Sequence, residues 1–340
     1  MFSKRFKITL PLFDRNHGDF KQLNKEFLKV WGEVPNILST LTFDTKLGVA
    51  TLNVNWDDNF ITKIKKKLTD FYTLEDYVNG KIPEEKLKEI NEYKHEYLEL
   101  SCIISCDINN LEISETDVER IIFYYIENII SHIFLAMNLS TPGCFNWYSN
   151  ELKTKSNLDI YRFSSSEFES AWIESIEEGW PLIERVELNK TWKWIKGLNL
   201  GYKQITENSI ERVLYSILII CQENRVSPNM LVWNAHALES LYGKPKYQIS
   251  KTLWRRISLF LELPDNEQEY FTNRFREFYS LRSRFVHGEL DISHPLENNV
   301  LDHRIFDKEG YILDNVGFSF CIIIATLQKM IKSDLKTLKF

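Results

Sequence analysis

From Pro181 to the C-terminal tail the chain sets its apolar residues at the spacing of helix faces and offers no alternating stretch, which confines this half to an all-α fold. Between Thr206 and Glu223, Ile210, Val213, Leu214, Ile217, Leu218 and Cys221 recur at i, i+3, i+4 and i+7, one face of a core-seeking helix. Ser227 followed by Pro228 reads as an N-cap with proline in the first turn, opening a helix that stops at Gly243. Ile249 to Leu263 reads as a helix ended by Pro264. Asn266 to His287 carries Phe271, Phe275, Phe278 and Phe285 on related faces and is stopped by Gly288 as a left-handed cap. A last helix covers Asp314 to Lys332.

Residues up to about 108 have another character. Phe6 to Leu12, Ile37 to Phe43, Gly48 to Trp56 and Tyr97 to Ile108 read as extended segments, several of them alternating, with turn chemistry in DTKLG; a small antiparallel sheet follows. Helices are expected at Asp19 to Trp31, at Pro83 to Tyr93, and in a long run opened by a capping pattern at Ser114. Ser140 to Glu169, rich in Ser, Asn and Thr, reads as an irregular connection that carries the strand-like IYRF. The expected organisation is an α+β domain with a small antiparallel sheet over residues 1–178, followed by an all-α helical bundle over 179–340.

Composition narrows the function classes. With 42 basic against 48 acidic side chains the net charge is −6, so no global basic field draws the molecule to nucleic acid or to an anionic membrane, and any polyanion site must be local. One stretch fits: Lys244 to His287 holds nine basic residues against five acidic ones. Tyr242, Tyr247, Trp254 and Tyr279 interleave with that patch, either as core packing or as stacking surfaces for bases. The N-terminal segment lacks a sustained apolar run, the apolar run Val316 to Leu327 is shorter than a bilayer span, and Glu127 and His132 interrupt Ile121 to Leu139; a cytoplasmic protein without membrane contact is expected. Five cysteines without framework spacing read as reduced thiols. Asp291, His294, Glu297, Asp302 and His303 are metal-capable but lack fixed ligand spacing, and no glycine-rich phosphate loop is present, so neither metal nor cofactor is expected.

The segment YSLRSRFVHGE, Tyr279 to Glu289, closes the phenylalanine-rich helix and places Arg282 and His287 five positions apart, the histidine in the last turn before the terminating glycine. Arginine keeps its charge and its planar donor fork matches phosphate oxygens, while histidine exchanges protons near neutral pH. This segment resembles the HEPN superfamily, whose ribonuclease members carry an arginine, a short spacer and a histidine, and it looks most like the Apea-like branch, in which the motif lies in a helix ending in histidine-glycine. The upstream LVWNAHALESLYG is similar to that branch's alanine-leucine-glutamate helix, so the resemblance covers about Trp180 to Lys332. Ser283 stands where many active members have Asn, Asp or His, and Glu289 stands where some toxin members have a modified tyrosine.

The resemblance implies a HEPN-type bundle and a metal-independent endoribonuclease, a prokaryotic stress, toxin or antiphage defence effector. Arg282 and His287 would be its catalytic pair and Ser283 and Glu239 supporting residues, while the local basic patch offers Arg284, Arg255 and Arg256 as RNA-binding residues. Internal cleavage of RNA needs a base at the ribose 2′-hydroxyl, a positive group on the phosphorane and an acid at the leaving 5′-oxygen. One Arg-His pair supplies half of that set, so a homodimer with both residues from both chains is expected, with residues 1–178 receiving a regulatory ligand or protein. Glu239 reads equally well as an orienting partner of Arg282 and as an exposed carboxylate. Two other readings stand beside the nuclease: a non-catalytic HEPN module that binds RNA, nucleotide or a protein partner, and an interaction scaffold in which the α+β half does the work.

Overall fold

The structure is a computed structural model that describes residues 2–11, 21–45, 48–56, 61–64, 80, 97–106, 114–148, 162–201, 203–223, 225–243, 248–294, 296–298 and 300–340. The expected helix at Pro83 to Tyr93 lies outside them. The chain divides into two compact units, one of residues 1–163 with 187–192, the other of 164–186 with 193–340.

The first unit is α+β. Strands β1 (Phe2–Pro11), β2 (Thr40–Thr45), β3 (Gly48–Asn55) and β4 (Tyr97–Cys106) form one antiparallel sheet in the order β1-β4-β3-β2. The period of two sends Ala50, Leu52, Val54, Ile104 and Cys106 into the core. Helix α1 (Lys21–Ile37) buries Leu23, Phe27, Val30, Trp31 and Val34, a stripe at helical spacing, and runs six residues past the expected end at Trp31. Trp31 donates its indole N–H to the Cys144 carbonyl at 3.2 Å, and Trp56 donates to Leu38 at 3.2 Å, so both large rings bury their polar atom with a partner.

Helix α2 (Glu115–Ser140) opens with Ser114, whose hydroxyl accepts from the Asp117 amide as the capping pattern implies. It carries two titratable side chains whose surroundings work in opposite senses: burial holds His132 down at about 4, and burial pushes Glu127 up to about 7. A buried neutral histidine contributes stability above its unfolded value near 6.5 that is lost as pH falls toward 4, about 3 kcal/mol in full. A raised carboxyl does the reverse: its contribution is complete below the unfolded value of 4.5 and is lost as pH rises through 7. Over the shared window the two slopes oppose each other. We expect His132→Leu to leave a first unit that gains stability on acidification from pH 7 to 5, and Glu127→Gln one that loses it, as read by urea midpoints across that range.

Beyond α2, Asn138 closes the turn by donating to the Phe134 and Phe145 carbonyls at 3.0 and 2.8 Å. The short pair β5 (Trp147–Tyr148) and β6 (Arg162–Phe163) is antiparallel, so part of IYRF is a strand.

The second unit is helical: α3 (Ser166–Glu178), the latter part of α4 (Leu188–Lys196), α5 (Ser209–Gln222), α6 (Pro228–Tyr242), α7 (Ile249–Phe260), α8 (Gln268–Val286) and α9 (Arg304–Lys332). Helix α3 corrects the reading of Ser140 to Glu169 as irregular, since its first turn is already helical at Ser166. Helix α9 starts ten residues before the expected Asp314. It is buried almost all round from Asn315 to Ile331, the signature of a central helix, and packs on α3, α6 and α8. By length and composition alone it and Arg120–Ser140 could each cross a bilayer; 78% and 76% of their apolar windows are buried inside the fold.

Polar pairs set the register of α9: Asn234 of α6 donates to Ser319 at 2.8 Å, and the hydroxyls of Tyr242 and Thr326 lie 2.6 Å apart. Helix α5 is opened by a reciprocal box between Asn208 and Glu211. Ser227 sits at the N-cap of α6 with Pro228 at the first helical position, yet its buried hydroxyl makes no capping bond. Arg274 of α8 pairs with Glu174 and Glu178 of α3 and, at 2.7 Å, with Asp314 of α9, while its guanidinium lies 4.6 Å from the Phe318 ring centre.

Candidate functional site

Helix α8 presents the motif on a side it does not bury. Phe271, Phe275, Phe278 and Leu281 face the core, which turns Arg276, Tyr279, Arg282 and Ser283, spaced by three and four, toward α7 and the C-terminal part of α6. These four, with Glu239 of α6 and Ile249 and Ser250 of α7, line an open depression of about 370 Å³. Tertiary packing therefore brings Arg282, Ser283 and Glu239 to one place.

The electrostatics there are unusual for a packed surface. The Nε–H of Arg282 is buried and makes no hydrogen bond, while the Tyr279 hydroxyl is buried beside the Glu239 carboxylate. Buried polar atoms are normally satisfied, so the orphaned Nε–H of Arg282 marks a place where a ligand's acceptor could complete the set. Burial, and next the Glu239 carboxylate beside it, push the Tyr279 hydroxyl above the usual phenol range, so it stays a proton donor.

His287 stands elsewhere. It is the C-cap of α8, exposed, and it does not line the depression. Five helical positions carry a side chain about 140° round the axis and about 7.5 Å along it, so one chain does not converge the pair. The cap itself is the one expected: Gly288 takes φ 74°, Gly288 N–H bonds Phe285 O at 3.2 Å, and Glu289 N–H bonds Arg284 O at 2.7 Å, a Schellman closure. A Cβ at Gly288 would meet nothing within 4 Å, so Gly288→Ala carries only the left-handed backbone penalty. A loss of about 1 kcal/mol in unfolding free energy, measured by chemical denaturation, is expected.

The three remaining arginines separate. Arg256 donates to the Tyr242 and Gly243 carbonyls and lies 5.5 Å from the Phe340 ring centre, so its fork closes the end of α6. Arg255 is exposed on α7 and Arg284 is exposed on the last turn of α8. Tyr242 and Trp254 are buried, which favours core packing over stacking on bases, and Lys244, Lys246 and Tyr247 lie outside the described residues. In the metal-capable loop, His294 accepts the Leu296 amide at 3.0 Å, Asp302 holds Arg304, and Glu297 holds Arg225. Among the described residues no three His, Cys, Asp or Glu side chains gather in a metal-sized cluster.

Two groups escaped sequence reasoning. The sequence points to the ring of Tyr279 rather than its hydroxyl, and it does not point to Ser250; the three- and four-residue spacing of Arg276, Tyr279, Arg282 and Ser283 is the available signal. No family model matches this chain, and neither a curated protein nor a solved structure is similar to it.

Proposed function

We propose that the second unit is a HEPN-type domain and that the protein is a metal-independent endoribonuclease, a cytoplasmic defence effector, whose composite site forms when two copies bring Arg282 and His287 together. The observation that carries this reading is Arg282 itself: a guanidinium in an open depression with a buried, unpartnered Nε–H. Such a fork is available to two phosphate oxygens and would steady the phosphorane. The exposed imidazole of His287 is free to approach the 2′-hydroxyl or the leaving oxygen from a partner chain. Homodimerisation has support from the apolar side chains beyond the motif: Ile292, Leu296, Val300, Leu301 and Phe306 are each at least 70% exposed.

The test is incubation of the pure full-length protein with total RNA in EDTA, together with its elution volume at micromolar concentration. Dimeric protein that generates 2′,3′-cyclic phosphate ends supports the reading. A monomer, or RNA left intact under activating conditions, counts against it and favours the second reading, a binding module. That second reading draws on the separation of Arg282 from His287 within one chain.

A further inference from the structure

A second, larger depression of about 710 Å³ lies between α7 and α8. Lys251 and Arg255 enter it from α7 and Arg276 from α8, all three exposed. The rest of its lining is hydroxyls, amides and two aromatic rings, and it includes no acidic side chain. No carboxylate pairs with the three cations among the described residues; Arg276 gives one hydrogen bond, to Asn273 at 2.8 Å. In a molecule of net charge −6, three uncompensated cations in one concavity call for an anion.

We propose that this groove is a phosphate track that seats a single RNA strand and delivers it to Arg282. Ser250 and Arg276 line both depressions, so the larger one runs into the one that ends at Arg282 and Ser283. A depression of about 710 Å³ set into one face of the α7–α8 pair takes a short run of one strand's backbone and not both strands of a duplex. The floor is Trp254 stacked on Phe275 at 5.0 Å and fixed by a 2.7 Å bond from the indole N–H to Thr272; both rings are buried, so they shape the groove without offering a face to bases. Recognition through cations and hydroxyls alone reads the backbone, and little base preference follows.

The identity of the strand as RNA rests on the nuclease reading; the anion track has its own grounds. The test uses full-length protein and a labelled, uncleavable 2′-O-methyl RNA oligonucleotide, with affinity followed against salt. Lys251→Ser, Arg255→Ser and Arg276→Ser combined should weaken binding at least about tenfold and flatten the slope of log affinity against log salt by about 2. The charge-preserving set Lys251→Arg, Arg255→Lys and Arg276→Lys should keep the wild-type slope, which a merely structural role would not require.

An unchanged slope in the serine variant overturns the track, as does a duplex or a free mononucleotide that binds as tightly as the strand. If the wild type cuts no RNA yet binds the probe through these cations, the track stands and the nuclease reading falls. If the wild type cuts and the serine variant cuts with unchanged KM, the reverse holds.

Discussion

Alanine in place of Arg282 is expected to slow RNA cleavage by about 10²–10³-fold, the loss seen when one preorganised donor to a developing oxyanion is removed. His287→Ala should cost about 10²–10⁴-fold, the contribution of a positioned proton-transfer group. Neither change should unsettle the fold. The Nε–H of Arg282 has no partner to lose, and the His287 side chain is exposed on a turn closed by backbone bonds. Both variants should therefore unfold within about 0.5 kcal/mol of the wild type. Arg282→Lys separates charge from shape: it keeps the positive group but not the planar fork, and should recover only part of the lost rate. Denaturing gels of a labelled RNA, run beside thermal melts of the same samples, check all three. Wild-type cleavage by both alanine variants would remove these residues from the chemistry.

The largest structural effect is expected at Arg274. It is a largely buried cation between two carboxylates of α3 and one of α9, and burial pushes Glu174 up despite the guanidinium beside it. Arg274→Met keeps the packing on Phe318 but leaves Glu174 without its counter-charge, which should destabilise the second unit by about 3–5 kcal/mol near neutral pH. The sign with pH follows from that orphaned carboxyl. Without Arg274 its proton is held more tightly still, so the penalty is full at high pH and shrinks on acidification as the group becomes neutral. Pairing Arg274→Met with Glu174→Gln should return most of the loss. Denaturant midpoints for the single and double variants at pH 5 and pH 8 measure both effects; a penalty that grows on acidification would refute the argument.

The end of α8 could be read closely in the sequence because its determinants are local. Three phenylalanines at helical spacing and one glycine fix which face is buried and where the helix stops, and the structure shows Phe271, Phe275 and Phe278 in the core with Gly288 left-handed. Phe285 is only half-buried, because the last turn has run past the core. Helix α3 was hidden for a physical reason: Glu167 and Glu169 are buried beside Phe168 and Ala171, so its inner face reads as polar. Gly32 and Pro35 disguise the last turns of α1, and the charged run from Asp307 to Glu309 followed by Gly310 disguises the start of α9. At the site, spacing along α8 indicated Arg282 and Ser283, whereas their meeting with Glu239 depends on how α6 packs. Arg255 and Arg256 are neighbours in sequence with unlike fates, one in the groove and one on the carbonyls that end α6.

Helix α8 runs unbroken for 19 residues, a rod of about 28 Å. The groove wall at Arg276, the clamp at Arg274, Arg282 and the imidazole at its tip are thus mounted on one stiff lever. A strand settling against the rod cannot shift one of them by itself, so what it feels along its length and where His287 points are a single mechanical variable.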